Sequence, residues 1–144
     1  MKGKVLVIED NVDWQNLLRD FLEKAGYFVV IEASLELAIN KISHELFHFI
    51  TIDMQLDEDN TGKEKFEGWH ILEVVKKLRI HQTTPTMVIT GFESEYLELK
   101  KLKSVEGLFF MGKGNFDRTS FIETIDRVVA AKDLRFNDDH RGTV

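Results

Sequence analysis

Cysteine is missing from all 144 residues, and proline occurs once, at Pro85. Without thiols there is neither a disulfide framework nor a cysteine nucleophile, and a cytoplasmic chain is the simplest expectation. Long apolar stretches are also missing. No segment approaches the ~20 residues that a membrane span needs, and Met1-Lys2-Gly3-Lys4 runs into an apolar strand pattern with no signal-peptide core. Positive charge is scarce: 19 Lys and Arg face 25 Asp and Glu, a net charge of −6. A DNA-binding surface, which neutralises phosphates with clustered Lys and Arg, is therefore not expected. Hydrophobic residues make up 43% and charged residues 31%, an ordinary globular balance that excludes a disordered or fibrous chain. A domain of this length buries roughly 70% of its unfolded surface, so one sizeable core is expected.

What is present is an alternation of short apolar runs and helical periodicity. Lys4 to Ile8, Phe28 to Ile31, Phe49 to Ile52, Met87 to Ile89 and Leu108 to Met111 read as five buried strands. Between them, apolar residues recur at helical spacing. Trp14, Leu17, Leu18, Phe21, Leu22 and Ala25 mark the first helix, closed by Gly26, and Ser34 caps a second carrying Leu35, Ala38, Ile39, Ile42 and Leu46. A third helix is expected from about Gly68, with Ile71, Leu72, Val74, Val75 and Leu78 inward, and a more polar fourth over 93–104. The fifth presents Phe121, Ile122, Ile125, Val128 and Val129, with Asp117, Thr119 or Ser120 as its cap. Five strands alternating with five helices make an α/β domain whose parallel sheet is covered on both faces.

The strands end on chemistry. Glu9 and Asp10 follow the first, Asp53 the third, Thr90 the fourth and Lys113 the fifth, all directed to one rim of the sheet. Three carboxylates brought close together repel unless a divalent cation joins them, and an all-oxygen set of this kind suits Mg2+ (or Mn2+). With a hydroxyl and an ammonium added, the rim is a place to build and hold an acyl phosphate. Lys113 paired with Asp53 is the expected resting arrangement.

The pieces Val-Leu-Val-Ile-Glu9-Asp10-Asn, Ile-Asp53-Met, Val-Ile-Thr90-Gly and Phe110-Met-Gly-Lys113 together resemble the CheY-like receiver domains of two-component response regulators, from Lys4 to about Lys132. The resemblance implies a flavodoxin-like doubly wound five-stranded sheet in the order 2-1-3-4-5 with five helices, a receiver domain over 1–133 and a flexible tail over 134–144. It implies Asp53 as phosphoacceptor, with Glu9, Asp10, Asp53 and the Gln55 backbone carbonyl as metal ligands. Thr90 and Lys113 would bind phosphoryl oxygens, and Phe110 would be the aromatic that turns inward when Thr90 moves. Gln55 and Phe92 stand where the family tunes attack of water on the phosphoryl group, and Gly91, where a small residue is common, would leave phosphoryl access open. The implied partners are a sensor histidine kinase or histidine phosphotransfer protein and a downstream protein effector, with no DNA or membrane contact and with room for a phosphorylation-dependent homodimer. The expected protein is a stand-alone response regulator that catalyses only its own phosphorylation and slow dephosphorylation. A receiver-fold interaction module independent of phosphorylation is the alternative.

Departures from the family pattern are the charged stretch Asp57 to Glu67 after the acceptor, and Gly114 in place of the usual proline after Lys113, where the family carries a cis peptide. His44-Glu45-Leu46-Phe47-His48 spells the H-E-x-x-H pattern of zinc metallopeptidases. It starts at a helix end and runs into a strand, which leaves His48 extended and makes peptidase activity a distant third reading. Trp14 and Trp69 read as helix-packing residues, and His70, His81 and His140 as surface or half-buried ones.

Overall fold

The computed structural model describes residues 1–53, 73–78, 81, 83–91 and 107–141. Its strands are β1 (Gly3–Ile8), β2 (Tyr27–Glu32), β3 (Phe49–Ile52), β4 (Thr86–Thr90) and β5 (Leu108–Gly112). Its helices are α1 (Val12–Lys24), α2 (Leu35–His44), a segment at 73–77 termed α3, and α4 (Arg118–Arg141). Every strand pairing is parallel, and the sheet order is β2-β1-β3-β4-β5, as the doubly wound expectation requires. The expected helix over 93–104, the stretch 57–67, Trp69 and His70 lie outside the described residues.

Side chains of β1 alternate between two cores, because successive residues of a strand point to opposite faces. Leu6 and Ile8 join Ala38, Ile42, Ile50, Ile52, Val75 and Val88 on the side of α2 and α3. Val5 and Val7 join Leu18, Leu22, Phe49, Phe121, Ile125 and Val129 on the side of α1 and α4. The central strand β3 is buried at every position, which is why it reads as an apolar run without alternation, Thr51 included.

Local signals set the helix ends. The Asn11 side chain accepts from Trp14 N–H at 3.0 Å, Ser34 Oγ from Leu37 N–H at 3.3 Å, and Asp117 Oδ2 from Ser120 N–H at 3.0 Å, each satisfying an otherwise orphaned donor of a first turn. Gly26 closes α1 at φ +100°, a backbone conformation that a side chain disfavours.

The last helix runs on to Arg141, since a helix already nucleated adds one bond per residue beyond its buried face. Two expectations need correction. Leu46 does not extend the buried face of α2: the helix stops at His44, Glu45 is extended at φ −128° and ψ 147°, and Leu46 is 69% exposed while Phe47 enters the core. His81 is neither surface nor half-buried, with 0% exposure. It is accommodated because both ring nitrogens find partners: Nε2 lies 2.8 Å from the Glu45 carbonyl and Nδ1 3.0 Å from Thr84 Oγ1. Its ring stacks on Phe47 at 6.0 Å.

A carbonyl only accepts, so Nε2 carries the proton and Nδ1 accepts from the Thr84 hydroxyl. Burial, with a further contribution from Lys132, holds the His81 pKa below its ordinary 6.5. The unfolded chain then binds the extra proton first, and the stability that neutral His81 contributes above pH 6.5 is lost as pH falls towards the folded pKa. Thermal unfolding followed from about pH 7 down to about pH 5 is expected to show this loss, and His81→Asn to flatten it.

Candidate functional site

The site forms where β1, β3, β4 and β5 end. Asp53 N–H donates to the Ile8 carbonyl at 3.0 Å, which sets the residue after β3 beside the residue after β1. Lys113 N–H donates to the Thr90 carbonyl at 2.8 Å and does the same for β5 and β4. Glu9 is held by its N–H on the Glu32 carbonyl at 3.1 Å and by Gln15 Nε2, which donates to its carbonyl at 2.7 Å. The Asp10 N–H donates to Glu9 Oε2 at 3.1 Å.

Lys113 bridges the acids. Its Nζ lies 2.5 Å from Glu9 Oε1 and 3.1 Å from Asp53 Oδ2, so the expected Lys113–Asp53 pair is present and Glu9 shares it. Glu9 is 2% and Asp53 6% exposed, which keeps solvent from screening the cluster. Burial, then the hydrogen bond to Asp53 and its negative charge, push the Glu9 pKa from 4.5 to about 8 against the opposing pull of Lys113. Burial disfavours the ammonium of Lys113, but the charge of Asp53 and the contacts with Glu9 outweigh it and raise its pKa.

Among the described residues, Glu9, Asp10 and Asp53 form the acidic group placed to hold a cation, with one ligand atom from each within 4.8 Å of the others. Hard oxygen donors at this spacing fit Mg2+. Thr90 is buried at the end of β4, Gly91 beside it is exposed, and Phe110 on β5 is partly buried against the α2 and α3 core. Gln55 and Phe92 lie outside the described residues. No cis peptide occurs among the described residues, so Lys113 and Gly114 are joined in trans.

The H-E-x-x-H residues are occupied elsewhere. His44 Nδ1 contacts the Asn40 carbonyl at 2.8 Å, and His48 Nδ1 accepts from Lys4 N–H at 3.0 Å. Glu45 pairs with Lys4 at 2.8 Å and Lys41 at 3.2 Å. These residues do not converge on a metal site. Trp14, assigned to packing on sequence grounds, has its ring centroid 5.1 Å from Lys113 Nζ. Its place in the first turn of α1, four residues after Asp10, was the available signal.

No family model matches the chain. The chain is 24% identical over 141 residues to the transcriptional regulatory protein CrdR of Helicobacter pylori, covering 96% of this chain and 57% of that protein. It is 25% identical over 93 residues to the transcriptional regulatory protein YxdJ of Bacillus subtilis, covering 65% of this chain and 36% of that protein. It thus spans about half or less of these two curated relatives. In three dimensions it superposes on a CheY-like response regulator receiver domain protein from Methanospirillum hungatei with a TM-score of 0.74 at 22% identity, covering 92% of this chain and 97% of that one. The chain has the receiver-domain fold. A second receiver domain, from a sensor histidine kinase of Pseudomonas aeruginosa and solved with a magnesium ion in its active-site cleft, superposes with a TM-score of 0.71 at 17% identity, covering 89% and 98%. Receiver domains are signalling domains of two-component systems, and the acidic rim of this receiver fold is where its strand ends meet. No described helix is long and apolar enough to cross a membrane.

Proposed function

We propose that this receiver domain takes a phosphoryl group onto Asp53 from the phosphohistidine of a sensor kinase or histidine phosphotransfer protein and passes the signal to a protein partner. The observation that carries this reading is the Asp53 carboxylate, buried at a strand end with Lys113 Nζ at 3.1 Å and Glu9 and Asp10 within cation-sharing distance. In the transfer, a bond forms between an Asp53 carboxylate oxygen and phosphorus as the nitrogen–phosphorus bond of the donor breaks, and the electron pair leaves with the imidazole nitrogen. Positioning and charge neutralisation dominate such a step. Glu9, Asp10 and Asp53, with the Gln55 carbonyl, would hold Mg2+, whose bound charge would offset that of the phosphoryl oxygens. Lys113 and the Thr90 hydroxyl bind those oxygens, and Phe110 answers the movement of Thr90, so that surface packing shifts between two arrangements. The magnesium in the Pseudomonas relative supports the choice of ion.

Incubation with acetyl phosphate and Mg2+ is expected to add one hydroxylamine-sensitive phosphoryl group, mapped by peptide mass spectrometry to Asp53. A chain that stays unmodified, or is modified elsewhere, overturns the reading and leaves a phosphorylation-independent binding module.

Mg2+ and the proton compete for the Glu9 oxygens. Because the Glu9 pKa stands raised at about 8, the site is protonated below that pH and must release the proton to take the ion. Mg2+ affinity is therefore expected to rise as pH increases through about 8. Calorimetric titration across that range checks it, and a flat profile would contradict the shared proton.

A further inference from the structure

Lys113 needs its ammonium held above the acids, yet the residue after it offers no rigidity. Gly114 is exposed, follows a trans peptide and would have nothing within 4 Å of an added side-chain carbon. Restraint comes from two other sides. The Lys113 N–H is anchored on the Thr90 carbonyl. Trp14 supplies the second side, with its ring centroid 5.1 Å from the ammonium.

An indole face attracts a cation through its quadrupole, and most strongly where water is excluded. The Lys113 side chain is only 16% exposed. Trp14 is itself fixed. Its N–H is taken by Asn11, its neighbour Gln15 bonds the Glu9 carbonyl at 2.7 Å, and its ring meets Phe116 edge to face at 5.3 Å. Phe116 is braced in turn by Phe21 at 6.1 Å and Phe121 at 5.1 Å. The ammonium thus sits in a cage of two carboxylates and one aromatic face, and the aromatic wall is backed by packing between α1 and α4.

We propose that Trp14 is a positioning residue for Lys113: its indole face, buttressed by Phe116, holds the ammonium over the phosphoryl site in place of a rigid peptide at Gly114. The inference rests on the phosphoacceptor reading above. Trp14 touches neither Mg2+ nor the phosphoryl group in this scheme, so it acts on phosphoryl uptake only through Lys113.

The test uses the full chain, with acetyl phosphate and Mg2+ as probes. Trp14→Leu is expected to slow Asp53 phosphorylation about three- to tenfold, the range of a partly desolvated cation–π contact, with Mg2+ affinity not lowered. Trp14→Phe, which keeps an aromatic face, is expected to restore most of the rate. In a Lys113→Met background Trp14→Leu is expected to add nothing, since the group it positions is gone. Independently of phosphorylation, Lys113→Met is expected to shift the Trp14 indole N–H resonance in a chain carrying Trp69→Phe. Equal rate losses in both backgrounds, or failure of Trp14→Phe to recover the rate, overturn the positioning role. An unmoved indole resonance overturns the contact. A wild-type chain that takes up no phosphoryl group overturns the functional reading and the rate role with it, whereas the resonance shift still decides whether the ring holds the ammonium.

Discussion

Lys113→Ala is expected to slow phosphorylation of Asp53 by about 10²- to 10³-fold, the loss typical when one preorganised charge-stabilising donor is removed, while Mg2+ binds more tightly. The two effects run in opposite directions because the proposed site gives Lys113 two roles. Its ammonium lies 2.5 Å from Glu9 and 3.1 Å from Asp53, on oxygens that a cation would use. Removing it deletes a competitor and leaves buried carboxylates without a counter-charge, which favours a divalent ion. In the proposed transfer the same ammonium would face the phosphoryl oxygens, and Ala could not replace it. Calorimetry for Mg2+ alongside single-turnover uptake from acetyl phosphate separates the two roles. Rate and affinity falling together would mean that Lys113 only supports the fold.

Phe121→Ala is expected to cost about 3–5 kcal/mol of folding stability, a large share of the ~5–15 kcal/mol that a single domain possesses. Phe121 is fully buried on the first turns of α4 and packs with Val5, Val7, Phe49, Ile125 and Val129. Its ring meets Phe116 at 5.1 Å, tilted by 51°. A cavity here opens between α4 and the centre of the sheet, where rigid strands on one side limit collapse. Urea unfolding is expected to show a lower midpoint with an unchanged slope. A midpoint within experimental error of wild type would mean that the aromatic cluster can rearrange to fill the space.

The strand ends were legible because β3, β4 and β5 carry no charged residue until they emerge, so Asp53 and Lys113 each mark a point of emergence. The caps Asn11 and Ser34 and the positive φ of Gly26 were legible because they are local. What stayed hidden depends on partners far along the chain. The burial of His81 is made tolerable by a carbonyl at Glu45, and nothing in the polar stretch around it announces this. Trp14 carries helical spacing whether its outer face meets solvent or an ammonium from β5. Leu46 and Phe47 differ only in register, and the end of α2 decides which of them is covered.

The parallel ladder has one more consequence. Ile8 and Ile52 are register partners, and the next residue on each strand is a site acid. Neighbouring strands lie about 4.7–4.9 Å apart, so the gap between Glu9 and Asp53 is a dimension of the backbone rather than of any connecting segment. The sheet acts as a ruler that the segments around it cannot reset. Whatever those segments become, the width of the opening between the two acids stays that of the sheet.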